Sequence, residues 1–393
     1  MRQRLFTPGP TPIPDRVVLA MSQAMPYHRG PAFKELFAEV SAHLQYIFQT
    51  QSEVLLLTAS GTGGMEACVA NLLLTGQKAL VIVMGKFSAR WQELCHAYGI
   101  ETVVLNVPWG KAPDLADVKM MLQRHADVAA VFCTHTETST GVDSDVGAIA
   151  ELVHTCSDAL VIVDGITSVG VVPFYMDDWK IDVCITSSQK GLMAPPGLAF
   201  VALGERTLKQ FQAQQWDEML KKRRLPRYYW DFAKALEAAK DHLTTWTPAI
   251  TLVMGLRESL RMIHETGLKN LWNHYLRLGQ AMRAGVKEVG LELFAEVPSN
   301  ALTTVKVPPI IESQKLIEIL REQYGVMVAG GQGPLKGKII RIAHMGYHDH
   351  LDMMALMSAL ELALAALGWR FELGAGVARM QQIYARDSSG VVA

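Results

Sequence analysis

The chain has 393 residues, half of them apolar, with 37 Lys and Arg against 38 Asp and Glu. That is enough for a large buried core in two or three domains at the usual ~100–200 residues each. The charge balance, without any basic stripe interleaved with aromatics, argues against nucleic acid as a partner.

The chain opens with an arm. Four prolines within Thr7–Pro14 remove backbone donors and fix φ, so residues 1–16 read as extended. They also arrive before any apolar stretch long enough for a signal peptide. No later run reaches the ~18 apolar residues of a membrane span, so a soluble, unsecreted protein without a membrane partner is expected. Apolar spacing from Asp15 to Gln49 is helical, and Glu53–Thr58 reads as a short buried strand entering a glycine-rich turn. ALVIVMG, ETVVLNV, AAVFCTH and ALVIVDG then alternate with helical stretches, and Asp182–Ser187 and Leu198–Ala202 add two strands. Continuous Val/Ile/Leu strands alternating with helices predict an α/β fold, a mostly parallel sheet with helices on both faces.

The segment Gln210–Asp241 is richer in charge and aromatics and reads as irregular or helical, with Lys221-Lys222-Arg223-Arg224 a solvated face. A long helix follows Pro248. Beyond Gly267, helices and the strands ALTTVKV, GVMVAGG and KIIRIAH predict a smaller α/β domain that ends in a helix from Asp349. The expected division is an arm at 1–16, a large domain at 17–266, a small domain at 267–373 and a loosely held tail at 374–393. The five cysteines are scattered and form no C-x-x-C pair, which indicates no disulfide framework, no metal site and a reduced, cytoplasmic setting.

Three places carry chemistry. Ser60-Gly61-Thr62-Gly63-Gly64 lies between a strand and a helix, where free N–H groups and two hydroxyls make an anion site, although such turns also occur without a ligand. Asp164 ends the strand ALVIVDG, where a carboxylate either points into a site beyond the sheet or caps the helical segment near Thr167. Lys190 follows a strand in ITSSQKG and precedes Ala194-Pro195-Pro196-Gly197. It is either a loop lysine in water or a desolvated amine able to attack a carbonyl. Together an anion cradle, a carboxylate and a lysine describe a site for pyridoxal 5′-phosphate (PLP), holding respectively its phosphate, its ring nitrogen and its aldehyde.

At these motifs the sequence resembles the class V, fold-type I aminotransferases, and among them the alanine–glyoxylate and serine–pyruvate aminotransferases. The likeness covers nearly the whole chain, through TPGPTPIP, YHRGPAF, SGTGGMEA, THTETSTGV, VDGITSVG, SSQKGLMAPPGLAF, TPAITLVMGLRESL and GGQGPLKGKIIRIAHMG. The resemblance implies that Lys190 carries PLP and moves protons, that Asp164 pairs with the ring nitrogen, and that Ser60, Gly61, Thr62 and Gln189 hold the phosphate. It places Phe87, which reads as core on sequence alone, on one ring face, Ile166 on the other and Thr138 near the ring's 3-oxygen. Arg341 in KIIRIAH would grip the substrate carboxylate, a planar group suited to bidentate pairing. Tyr27 and His28 would line the way in for substrate, with Tyr27 narrowing the pocket. Thr247 would reach the partner subunit's phosphate in a homodimer.

The implied reaction is ping-pong transfer of an amino group from a small amino acid, alanine or serine, to a small 2-oxo acid, glyoxylate or pyruvate. Alternatives share the fold: a 2-aminoethylphosphonate aminotransferase, a cysteine desulfurase-like lyase, or a non-catalytic subunit. Desulfurases place His before the lysine and a nucleophilic Cys late in the chain. Here Gln189 precedes Lys190 and no cysteine follows Cys184.

Overall fold

The computed structural model of the protein describes residues 3–388. The arm contributes β1 (Arg4–Leu5) and is followed by α1 (Asp15–Met21) and α2 (Pro31–Phe48). The single helical stretch expected from Asp15 to Gln49 is broken between them. Pro26 and Gly30 interrupt it, and Pro31 restarts the helix at its first residue, where a missing N–H breaks no intrahelical bond. β2 (Val54–Leu57), α3 (Gly61–Leu72), β3 (Lys78–Val83), α4 (Ala89–Ala97), β4 (Glu101–Asn106), α5 (Leu115–Arg124) and β5 (Val128–Thr134) then alternate. A small hairpin, β6 (Thr136–Glu137) and β7 (Val142–Asp143), precedes α6 (Val146–Cys156), β8 (Leu160–Asp164), β9 (Val183–Ser187) and β10 (Ala199–Leu203). The charged and aromatic stretch forms α7 (Glu205–Trp216), α8 (Glu218–Lys221) and α9 (Phe232–Ala239).

Seven of these strands make one sheet in the order β2-β10-β9-β8-β5-β3-β4, parallel except for β10. Both faces are buried, which is why its strands are apolar along their whole length. Val131 and Val161 pack in the core that includes Phe33 and Ile47 of α2 and Val153 of α6. Their neighbours Phe132 and Ile162 turn to the other face, against Met65 and Cys68 of α3 and Trp91 of α4. Trp91 stacks on Phe132 with ring centres 4.5 Å apart.

After α10 (Ile250–Thr266) and α11 (Leu268–Glu288) comes a second, antiparallel sheet. It is built from β11 (Leu302–Lys306), β13 (Ala329–Gly330) and β14 (Ile339–Ala343) in the order β11-β14-β13, with α12 (Ser313–Tyr324) and β12 (Val326–Met327) between the first two. β1 pairs in parallel with β12, and the Ala343 N–H donates to the Phe6 carbonyl at 2.8 Å, so the N-terminal arm is stitched to this smaller sheet.

The chain finishes with α13 (His350–Ala366) and α14 (Ala375–Ser388). The expected loose tail after Gly374 is therefore corrected over the described residues, since they form a docked helix. Met380 is fully buried, and a Cβ on Gly285 of α11 would lie only 3.0 Å from its Cγ. The buried carboxylate of Glu361 in α13 accepts from the Gly374 and Gly376 N–H groups, each at 2.7 Å. Much of this docking is made by glycine backbone, which an apolar-periodicity reading does not register. Met380→Ala should lower unfolding stability by about 2–5 kcal/mol in urea denaturation; an unchanged midpoint would mean that the helix is not held.

Candidate active site

In a parallel sheet, ligands bind beyond the carboxyl ends of the strands, and here those ends converge. β8 ends at Asp164, β9 runs on to Gln189 and Lys190, β5 leads to Thr138, β2 leads to the Ser60–Thr62 turn, and β3 leads to Phe87. Arg341 comes from β14 of the smaller sheet. Together with Ile166, these residues line one cavity of about 560 Å³, within the roughly 300–1,000 Å³ usual for small-ligand sites. Tyr27, His28 and Thr247 are not brought to it. Tyr27 is 68% exposed and Thr247 is exposed, so Tyr27 does not narrow the cavity of its own chain.

Lys190 is buried, and its Nζ donates to the carbonyl of Pro8 in the arm. The arm passes that closely because residue 9 is glycine. Its φ is +114°, and a Cβ there would stand 2.5 Å from Lys190 Cε. Thr11 fastens the same stretch by donating from Oγ1 to the Lys190 carbonyl at 3.0 Å. Burial pulls the Lys190 amine down to about 8, against the pull of Asp164 and with the help of Arg341 and Arg90. Burial pushes Asp164 up to about 7; the Ile166 N–H, donating to its Oδ1 at 2.9 Å, acts the other way, and the charge of Glu137 adds to the rise. The helix expected near Thr167 is absent, residues 166–170 being turns, so Asp164 caps no helix; its Oδ1 closes a local turn with the Ile166 N–H, and the side chain lines the cavity.

Arg341 is 5% exposed, donating from Nε to the Gly330 carbonyl at 2.9 Å and from Nη1 to the Thr138 carbonyl at 3.2 Å. Burial lowers its pKa to about 10. No carboxylate lies within ion-pair distance of it among the described residues, which leaves its charge for a bound anion. Thr138 Oγ1 shares a 2.6 Å hydrogen bond with Thr167 Oγ1.

The cavity suits PLP. Ser60 is the N-cap of α3 but makes no side-chain cap bond, leaving its hydroxyl and the first N–H groups of the helix for an anion. Gln189 lines the same cavity, and its amide –NH2 is a donor suited to an anion. Gly61 lets Ile166 close over the turn, since a Cβ there would meet Ile166 Cδ1 at 2.5 Å.

Sequence reasoning missed four contributors. Glu137, fully buried, accepts from the Ser88 N–H at 2.8 Å, the Phe87 N–H at 3.1 Å and the Ser139 hydroxyl at 2.7 Å, and so fixes the turn that carries Phe87. Its signal was a carboxylate inside the otherwise neutral THTETSTGV. Arg90 donates to Thr62 Oγ1 at 3.1 Å and lies over the Phe87 ring at 5.1 Å. Pro8 acts through its carbonyl, which side-chain chemistry cannot reveal. Gln332 also lines the cavity.

The chain belongs to the class-V aminotransferase family, whose model matches residues 4–351. It is 40% identical over 384 residues to the small subunit of a soluble hydrogenase from Synechococcus sp. (strain PCC 6716), covering 96% of this chain and 97% of that one. It is 33% identical over 384 residues to a serine–glyoxylate aminotransferase of Methylorubrum extorquens, covering 96% and 94%. The crystal structure of ureidoglycine–glyoxylate aminotransferase from Bacillus subtilis matches with a TM-score of 0.91 at 29% identity, covering 98% of both chains. The fold is therefore that of the PLP fold-type I aminotransferases, enzymes that are in general PLP-dependent. Among the described residues no helix is long and apolar enough to cross a membrane.

Asp164 binds its proton up to about pH 7 in the fold, against about 3.9 when unfolded. Its burial therefore weakens the ligand-free fold increasingly as pH rises between those values. Asp164→Asn should raise the unfolding midpoint of the ligand-free protein at pH 8 and change it little at pH 4. A lower midpoint at pH 8 would mean that the charged carboxylate is already favourably paired.

Proposed function

We propose that the protein is a PLP-dependent aminotransferase that moves an amino group from a small amino acid, alanine or serine, to a small 2-oxo acid, glyoxylate or pyruvate. The observation that carries this reading is the meeting of Lys190, Asp164, Arg341 and the Ser60–Thr62 helix start in one cavity. The serine–glyoxylate and ureidoglycine–glyoxylate aminotransferases it resembles differ in donor and both carry glyoxylate in their names, whereas another similar structure is a pyridoxamine–pyruvate aminotransferase. A relative named as a hydrogenase subunit raises a non-catalytic role. Against that role stands an intact set of buried reactive groups that a purely structural subunit has no use for.

In this reading Ser60, Gly61, Thr62 and Gln189 would hold the cofactor phosphate at the positive end of α3. Phe87 and Ile166 would enclose the ring, Thr138 would serve its 3-oxygen, and Asp164 would pair with its nitrogen. PLP would supply an electron sink for the substrate's α-carbon. Arg341 would orient the substrate by its carboxylate, and Lys190 Nζ would take the proton from the α-carbon. The lowered pKa of Lys190 suits that step, because the amine must be unprotonated to act. Once protonated, it has the Pro8 carbonyl as a ready acceptor.

We assign the active unit as a homodimer, with Thr247 reaching the partner's phosphate cradle and Tyr27 and His28 at the substrate's approach. Their position outside their own chain's cavity fits this. So does the apolar surface of Leu19, Met25 and Tyr27, each at least 63% exposed.

Adding alanine or serine to the holoenzyme without an oxo acid should convert its aldehyde-form spectrum to that of the amine form, and glyoxylate or pyruvate should restore it. A spectrum unmoved by any small amino acid would contradict transamination. Lys190→Ala should lose multiple turnovers, and Arg341→Ala should raise KM strongly with less effect on PLP binding. Loss of PLP with normal KM in the second variant would place Arg341 at the cofactor instead.

A further inference from the structure

Among the polar side chains of the described cavity that the transamination reading leaves without a task, Gln332 has a buried oxygen with no hydrogen-bond partner. Gln332 follows β13 in the sequence Gly330-Gly331-Gln332-Gly333. Ala329 of β13 is registered opposite Arg341 of β14, and the Gly331 N–H extends that pairing by donating to the Ile339 carbonyl at 3.0 Å. Beyond it the Leu335 N–H donates to the Gln332 carbonyl at 3.0 Å, closing a short 3-10 turn over Gly333–Leu335. Residue 332 is thus held by backbone bonds on both sides, close to the guanidinium proposed to grip the substrate carboxylate. Its carboxamide has no hydrogen-bond partner among the described residues, and Oε1 is closed off from water.

A shielded carboxamide left unpaired is unfavourable, whereas a ligand that completes its bonds removes that cost. The substituents of an amino acid in this cavity can be placed in turn. Arg341 takes the carboxylate, and the amino group and α-hydrogen go toward the cofactor and Lys190. The side chain is left, facing a wall on which Leu5, Pro10 and Ala329 offer only apolar contact. The Thr7 hydroxyl beside them already donates to the Pro10 carbonyl at 3.1 Å, so Gln332, with its unpartnered Oε1, is the group best placed to answer a polar side chain. A carboxamide offers both a donor and an acceptor, and a hydroxyl uses both.

We propose that Gln332 is a specificity-determining residue that reads the side chain of the amino donor. The site then favours small amino acids bearing a hydrogen-bonding side chain, the hydroxyl of serine being the simplest, over the methyl of alanine. This rests on the transamination reading above and narrows its substrate class.

The test is kcat/KM for L-serine and L-alanine with glyoxylate as acceptor, in the wild type and in Gln332→Met, which keeps side-chain length and removes both polar atoms. Each donor is also titrated against the cofactor spectrum without acceptor. In the wild type serine should exceed alanine by at least about tenfold. In the variant serine should lose at least about tenfold more than alanine, with the loss also visible in its spectral titration. Parallel losses for the two donors would overturn the proposal by assigning Gln332 to their shared carboxylate or to the fold. An unchanged ratio overturns it too, as does a wild type that prefers alanine, a result that needs no variant. If the wild type turns over neither donor, transamination of small amino acids itself fails, and that outcome is distinct from a failure of discrimination.

Discussion

The site depends on two ionisable groups kept out of water at the ends of adjacent parallel strands. β8 delivers Asp164 and β9 leads to Lys190, and the register that pairs Asp164 with Ile185 fixes their relation before any side chain is considered. Burial works against both charges, lifting the carboxylate to about 7 and lowering the amine to about 8. Burial thus makes both charges costly to hold. A lysine whose pKa is lowered in this way gives up its proton more readily than one in water, and a buried carboxylate gains from a cationic partner. In the proposed reading, the burial that weakens the ligand-free fold would be offset by the protonatable ring nitrogen of PLP.

The surroundings hold this arrangement in place. Glu137 uses its buried carboxylate on backbone N–H groups to fix the Phe87 turn, and its charge is felt at Asp164 and Arg341. The N-terminal arm ties the two sheets together: it pairs with β12 and bonds to β14 at one end, and lays the Pro8 carbonyl on Lys190 at the other. Gly9 is the point at which this becomes possible, since a side chain there would occupy the space of the lysine itself. A displacement of the smaller sheet would thus be transmitted to the Lys190 amine through a few residues of extended chain.

Much of this was legible in the sequence, for definite reasons. Strands buried on both faces leave uninterrupted apolar runs, so the large sheet could be read directly, and Asp164, Lys190 and the Ser60–Thr62 turn stand out where such runs stop. Arg341 was conspicuous as a guanidinium within an apolar strand. The break between α1 and α2 was missed because apolar spacing alone does not show where Pro26 and Gly30 end the helical pattern. The docking of α14 was missed because it uses glycine backbone and a buried Glu361. Nothing in the sequence marks Gln332, since it is the pairing of β13 with β14 that brings its segment to the cavity lined by Arg341. Tyr27, His28 and Thr247 lie outside what one chain assembles, and their proposed roles belong to a dimer.

The proposal that Lys190 is the amine that carries PLP is tested by loading the protein with PLP, fixing the cofactor with borohydride and locating the modified residue by peptide mass spectrometry. One pyridoxyl group per chain is expected, on the peptide containing Lys190, and it should be absent when alanine or serine is added in excess before reduction. A label on another lysine, or no stable label at all, would contradict it.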